Sequence, residues 1–230
     1  MFERYTLSTS AEVLGKALNV EVPDRYAPRF NAAPTGLLPV ITNEHPEGVS
    51  FFYWGLPPSM AKSKSVSKKL TNAEISELTS KASYKNSLSS RRCIIPANGL
   101  YYWKKVSKKG KVPYRFILND ENIFVMAGLW DEFDLDGTIV HTFNIITKPA
   151  NVIIQPLSPT MPLIVESEQI NRWLSANDLD TALNLLQSDT EINFGSYPVS
   201  SKINNIEIDQ ADLINQSSPM DQFGNYSLFD

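Results

Sequence analysis

Few side chains in this sequence could act as nucleophile, base or metal ligand: one cysteine, two histidines and a scatter of serines. A thiolate would be the strongest nucleophile, and the only thiol is Cys93. It opens the apolar run Cys93-Ile94-Ile95, where cysteine reads as a small buried hydrophobe. His45 precedes Pro46 in a polar loop. His141 alternates with Ile139, Phe143 and Ile145, the pattern of a packed or edge histidine on a strand rather than of a base. Ser158, between Leu157 and Pro159, lacks a recognisable base, and without one a serine is not a nucleophile. No Cys/His cluster has metal-ligand spacing, so neither a metal nor another cofactor is expected. One amine remains. The bulky Phe2 should keep Met1 in place, and an α-amine of pKa about 7.7–8.0 could form a reversible imine with an aldehyde.

The elements that would hold these groups are mostly strands. A short helix is expected over Ala11–Leu18, capped by Ser8 or Ser10. Strands are expected at Leu37–Ile41 and Val49–Trp54 around a polar loop, then at Cys93–Pro96, Gly99–Lys104, Tyr114–Leu118, Phe124–Leu129, Thr138–Ile146 and Tyr197–Ser200. Residues 59–71 are rich in Ser and Lys and read as a loop bordering a site, followed by a helical turn over Ala73–Lys81. Ser167–Leu174 begins with a capping signal, and Asp178–Leu186 places Leu179, Ala182, Leu183 and Leu186 on one face. Many strands with a few helices indicate a single α+β domain, taken as residues 1–214, followed by a polar linker and aromatic tail at 215–230.

With 42% hydrophobic residues over 230 positions, the chain can bury a full core. A lone cysteine rules out a disulfide framework and fits a reducing cytoplasm. No segment reads as a signal core or a membrane span. The net charge of −4 gives no global attraction to nucleic acid. Local clusters run against that balance: Lys62, Lys64, Lys68 and Lys69 in the Ser-rich loop, and Lys104, Lys105, Lys108, Lys109 and Lys111 around one turn. They read as a solvated loop and a charged hairpin tip, or as a rim contacting phosphates.

Several motifs in order are more specific than any of these singly. Arg29-Phe30-Asn31-Ala32-Ala33-Pro34, Tyr53-Trp54-Gly55-Leu56-Pro57-Pro58 and Thr71-Asn72-Ala73 come first. Arg91–Trp103, Ala127-Gly128-Leu129-Trp130-Asp131, Phe143–Thr147 and Thr160–Val165 follow. Together, over roughly residues 1–205, they resemble the SRAP family, the SOS-response-associated peptidases that shield abasic sites in single-stranded DNA. The resemblance implies a mixed, β-barrel-like core of mostly antiparallel strands with peripheral helices.

It also implies a reaction for which this chain lacks most of the groups. The family begins Met-Cys-Gly-Arg, and its Cys reacts with the ring-opened sugar; here the start is Met1-Phe2-Glu3-Arg4. The family's catalytic Asn is kept as Asn72, but the Arg of that motif is Glu74. The family's acid falls at Tyr102, its His at Ser158 and the accompanying Arg at Thr160. Phe2, Tyr102 and Ser158 are thus expected to form a degenerate pocket. Arg4, Arg29, Asn31, Pro34 and Trp54 remain as family-like DNA-binding positions, with Met60 near the family's wedging Trp. A carboxylate at Glu74 facing a phosphate would replace an attraction by a repulsion of about 1–4 kcal/mol at 4 Å.

The expected function is that of a catalytically degenerate binder of single-stranded or abasic-site DNA in the DNA-damage response. The alternatives are an active crosslinking or peptidase-type enzyme using the Met1 amine, and a scaffold whose pocket takes another ligand. The tail adds a possible protein partner. Tyr226-Ser227-Leu228-Phe229 is similar to the Gln-Leu-Ser-Leu-Phe peptide by which bacterial proteins hook onto the replication sliding clamp, with Asn225 and Tyr226 in place of the Gln and first Leu. Leu228 and Phe229 would be its anchors.

Overall fold

The computed structural model describes residues 2–59, 70–118, 123–187 and 192–226. In chain order its strands are β1 Tyr5–Leu7, β2 Arg29–Ala32, β3 Leu37–Thr42, β4 Ser50–Trp54, β5 Asn72–Glu74, β6 Arg92–Ala97 and β7 Gly99–Lys105. There follow β8 Lys111–Leu118, β9 Phe124–Leu135, β10 Thr138–Pro149, β11 Thr160–Pro162, β12 Ile164–Val165 and β13 Phe194–Pro198. The helices are α1 Ala11–Leu18, α2 Ala82–Ser90, α3 Ile170–Ser175 and α4 Leu179–Leu185. The chain is a single α+β domain.

Five strands close on themselves. β10 runs parallel to β4, and the ring continues antiparallel through β3, β6 and β9 back to β10. Closure removes the free edges that such apolar strands would otherwise expose. β5, β11 and β12 add to β10 and β9 at the rims. A second, antiparallel sheet runs β13-β8-β7-β1-β2.

Strand periodicity divides the apolar side chains between two cores. Cys93, Ile95 and Ala97 of β6 join Trp54, Tyr102, Phe116 and Phe143 in the cluster shared by ring and second sheet. Ile94 points the other way, with Leu88, Val125, Ile146 and Trp173, under the helices. Helix α1 matches its expected bounds, with Ser10 as the N-cap. Helix α2 is not legible in the sequence: among its serines only Tyr84 and Leu88, one turn apart, are buried.

One junction sets the two sheets against each other. Between β6 and β7 lies Asn98, whose Oδ1 accepts from Thr6 Oγ1 at 3.0 Å and Ser8 N at 3.1 Å. A Cβ on the next residue, Gly99, would lie 2.6 Å from both Arg115 Nε and Thr6 Oγ1, so only glycine fits. The Pro/Asn/Gly turn is therefore a crossing from ring to second sheet.

The expected helical turn at Ala73–Lys81 is borne out only in part, as a 3-10 turn, and its start is corrected to a strand. Residues 72–74 form β5, parallel to Ile145–Thr147, and a 3-10 turn spans Ile75–Glu77 before α2. Pairing with the buried strand β10 outweighs a weak local helix preference. No helix among the described residues is long and apolar enough to cross a membrane.

Candidate functional site

The positions of the altered family residues come together. The Phe2 ring, 1% exposed, packs between Trp54 and Tyr102, with centroid separations of 5.9 and 6.0 Å. Tyr102 leans edge-on against Phe116 at 5.5 Å. Asn72 Nδ2, at the start of β5, donates to the Phe2 carbonyl at 2.7 Å. On its other side, Tyr102 lines an open cleft of about 550 Å³ with Glu3, Arg4, Trp103, Lys111 and Ser158. Four positions 156 residues apart in sequence at their extremes thus form one continuous group from Asn72 through the two rings to the cleft wall.

This geometry decides what each group can do. Ser158 Oγ donates to the Thr160 carbonyl at 2.8 Å and accepts from Thr160 N at 3.3 Å, so its hydroxyl is committed to its own turn. The Tyr102 hydroxyl and Asn72 Oδ1 are buried and find no hydrogen-bond partner among the described residues. Burial pushes the Tyr102 phenol far above its ordinary pKa, so it stays a neutral donor at any physiological pH. Cys93 is free, buried in the core, and likewise pushed up by desolvation, which holds it as an unreactive thiol. His141 stacks on Phe52 at 4.7 Å with its imidazole half-exposed, the packed rather than the edge arrangement, since β10 lies within the ring. No cluster of three or more metal-ligating side chains occurs among the described residues.

The family-like DNA-binding positions are dispersed in role. Trp54 is fully buried, its indole N–H donating to the Thr71 carbonyl at 2.8 Å, so it offers no face to a base. Arg4 lines the cleft but directs Nη1 to Asn31 Oδ1 at 2.7 Å and the Ile203 carbonyl at 2.8 Å. Asn31 Nδ2 in turn donates to the carbonyls of Ile203, Asn205 and Ile208. Arg29 pairs with Asp209 at 3.3 Å, and with Pro34 it borders a separate hollow of about 330 Å³. Glu74 is exposed at the end of β5.

Sequence reasoning missed Asp209, which accepts from the backbone N–H groups of Phe30 at 2.6 Å and Asn31 at 2.8 Å. It locks β2 to the segment after β13, and nothing short of that long-range contact marks it. Trp103 was visible only as part of a motif; its Nε1 donates to Asn204 Oδ1 at 2.9 Å and its ring lines the cleft. Met1, Met60, Lys62, Lys64, Lys68, Lys69, Leu228 and Phe229 lie outside the described residues.

Comparison with known proteins agrees with the motif order. The family model described as SOS response associated peptidase (SRAP) matches residues 1–206. The abasic site processing protein YoqW of Bacillus subtilis is 32% identical over 221 residues, 93% of this chain and 99% of that protein. The abasic site processing protein HMCES of Rattus norvegicus is 26% identical over 225 residues, 80% of this chain and 63% of that protein. Among solved structures, a protein from Bacteroides thetaiotaomicron superposes with a TM-score of 0.76 at 22% identity, covering 93% of this chain and 99% of the other. On the extent of the match and the shared fold, the chain belongs to the SRAP family.

Proposed function

We propose that this protein binds single-stranded DNA at abasic sites without forming a stable covalent adduct, as a catalytically degenerate member of its family. The observation that carries this reading is the Phe2–Tyr102 ring pair, which occupies the place where the family resemblance puts a thiol beside an acid. Aromatic rings in contact exclude water and offer no proton transfer, so neither nucleophile nor acid remains there. What remains at the cleft fits recognition: the walls of Tyr102 and Trp103, with Lys111 and Arg4 beside them. Relatives named abasic site processing proteins support the same substrate class.

The test is an electrophoretic shift with abasic, intact single-stranded and duplex DNA, each repeated on a denaturing gel. A salt-sensitive shift that disappears on denaturation is expected, because phosphate contacts dominate such binding. A heat- and denaturant-stable band with the wild-type chain would refute the reading. A second reading, an imine at the Met1 amine with Asn72 and Tyr102 as polarising groups, draws on Asn72, whose Nδ2 already donates to the carbonyl of Phe2, the residue that follows Met1. Borohydride, which reduces an imine to a permanent amine, would reveal it as a band that appears only after reduction.

The tail peptide is proposed as a sliding-clamp tether. A tether would raise the local concentration of a weak DNA binder at replication forks. Asn225, at the position of the motif's Gln, is tied to Asp221 through its backbone N–H at 2.9 Å and its side chain at 3.2 Å, so clamp binding must release that turn or rely on Leu228 and Phe229. A labelled 216–230 peptide should bind the clamp of the same organism, and a Leu228→Ala/Phe229→Ala peptide should not. No binding up to about 100 μM, near −5.5 kcal/mol, disposes of the tether.

A further inference from the structure

The family match ends at residue 206, yet the chain beyond it packs back onto the domain. Gln216 forms a bridge with Val199, and Ser217 N donates to the Pro198 carbonyl at 2.9 Å. Residues 220–226 then close a turn. Met220 bridges Tyr226, Asp221 N donates to the Asn225 carbonyl at 2.9 Å, and Gly224 N to the Asp221 carbonyl at 3.0 Å. The buried Asp221 carboxylate accepts from the backbone N–H groups of Phe223 and Asn225, both at 2.9 Å.

The turn is fastened to the lysine-rich tip between β7 and β8. Gln222 Oε1 accepts from Lys111 N at 2.8 Å, and its Nε2 donates to the Lys109 carbonyl at 2.7 Å. Both bonds go to backbone, which leaves the lysine side chains out of the joint. A Cβ on Gly110 would lie 2.7 Å from Asp221 Oδ2, so the close seating of the turn requires glycine there. Gln222 also lines the cleft beside Tyr102, Trp103 and Lys111.

Held this way, the turn presents two aromatic rings to solvent: Phe223 and Tyr226 are each 64% exposed. Lys105, Lys108, Lys109 and Lys111 are exposed on the adjoining tip. Aromatic faces beside a cationic rim suit a single strand, whose bases are free to stack while its phosphates meet the lysines. A duplex keeps its bases paired and could use only the charges. The backbone clamp fixes the turn beforehand, so less order is lost on binding.

We infer that the turn Met220–Tyr226 is a base-stacking platform continuous with the cleft, with Phe223 and Tyr226 taking unpaired nucleobases of a strand whose phosphates follow the Lys105–Lys111 tip. The inference rests on the cleft being a single-stranded DNA site. It is tested by fluorescence anisotropy at fixed salt with abasic-analogue oligonucleotides of about 6 and about 20 nucleotides, the longer one able to reach beyond the cleft. Full-length wild type, Phe223→Ala/Tyr226→Ala and Phe223→Trp/Tyr226→Trp are compared, with thermal unfolding as the check on folding. The alanine variant should bind the longer strand about tenfold or more weakly and the shorter one nearly as before, while the tryptophan variant keeps wild-type affinity. Its salt dependence should not change, since no charge has been removed. An alanine variant that binds the long strand like wild type overturns the platform and leaves the cleft reading standing. If instead DNA affinity is intact and only clamp binding is lost, the two rings serve a protein partner and the platform is again overturned. Wild type that binds neither strand overturns the cleft reading itself.

Discussion

Replacing Tyr102 by Phe removes one oxygen atom, and the structure gives that atom neither a partner nor access to the cleft. The hydroxyl is buried with no hydrogen-bond partner among the described residues, and an unsatisfied buried hydroxyl costs about 1–3 kcal/mol. Phenylalanine keeps the ring contacts with Phe2 at 6.0 Å and Phe116 at 5.5 Å, so the packing energy is retained. Tyr102→Phe should therefore stabilise the fold by about 1–2 kcal/mol. For a domain of this size that corresponds to a rise in Tm of roughly 2–8 °C. The hydroxyl is sealed from the cleft that the rest of Tyr102 lines, so affinity for abasic single-stranded DNA should stay within about twofold of wild type. Urea unfolding monitored by tryptophan fluorescence gives the first quantity, provided the m-value is unchanged. Titration with labelled DNA gives the second. A variant destabilised by more than about 0.5 kcal/mol would show that the hydroxyl is satisfied in the folded protein, and the reasoning would fail. A variant whose affinity falls about tenfold or more would show that the hydroxyl reaches the bound strand, and the burial argument would fail with it.

Other outcomes follow from the same packing. Tyr5, Tyr101 and Tyr102 all have phenols raised by burial, so the folded chain keeps protons that the unfolded chain releases near pH 10. Their contribution is complete below about pH 10 and is lost above it, by about 1.4 kcal/mol per phenol per pH unit; Tyr102→Phe should lower the slope by one such step, and urea titrations from pH 9 to 11 measure it. Restoring the family's groups together, as Phe2→Cys, Tyr102→Glu and Ser158→His, should produce a DNA-linked band on a denaturing gel, because the backbone already brings these positions to one centre. That variant should also lose several kcal/mol of stability, of order 3–5 for the Phe2 cavity; a folded triple variant with no band refutes the convergence. Arg92, 2% exposed, donates to the carbonyls of Leu88, Trp173, Leu174 and Ala176, so Arg92→Met should cost about 3–5 kcal/mol by stranding them. A measured loss below about 1 kcal/mol would mean that the helix ends are satisfied without it.

The sequence by itself determined the family, the α+β class, most strands of the ring and helix α1, because motif order and period-two patterning are local in the chain. The residue types at positions 2, 102 and 158 are likewise legible in the sequence, and tertiary structure added that Phe2 and Tyr102 pack ring against ring. Helix α2 was not legible, since its stability comes from two buried residues rather than an apolar stripe, and neither was β5, which exists only by pairing with β10. The roles of Arg4, Asn31 and Trp54 were decided by tertiary structure alone. Each is a residue type that could face DNA, but whether its polar atoms or ring are free depends on Ile203, Ile208, Asp209 and Thr71, which lie far away in sequence. The same holds for residues 216–226. Read as a linker and tail, that stretch carries no periodicity to mark it, and its seat on the β7–β8 tip depends on two backbone groups and the missing side chain of Gly110. Side-chain type can be read along a chain; which atoms are already satisfied can be read only once distant segments have met.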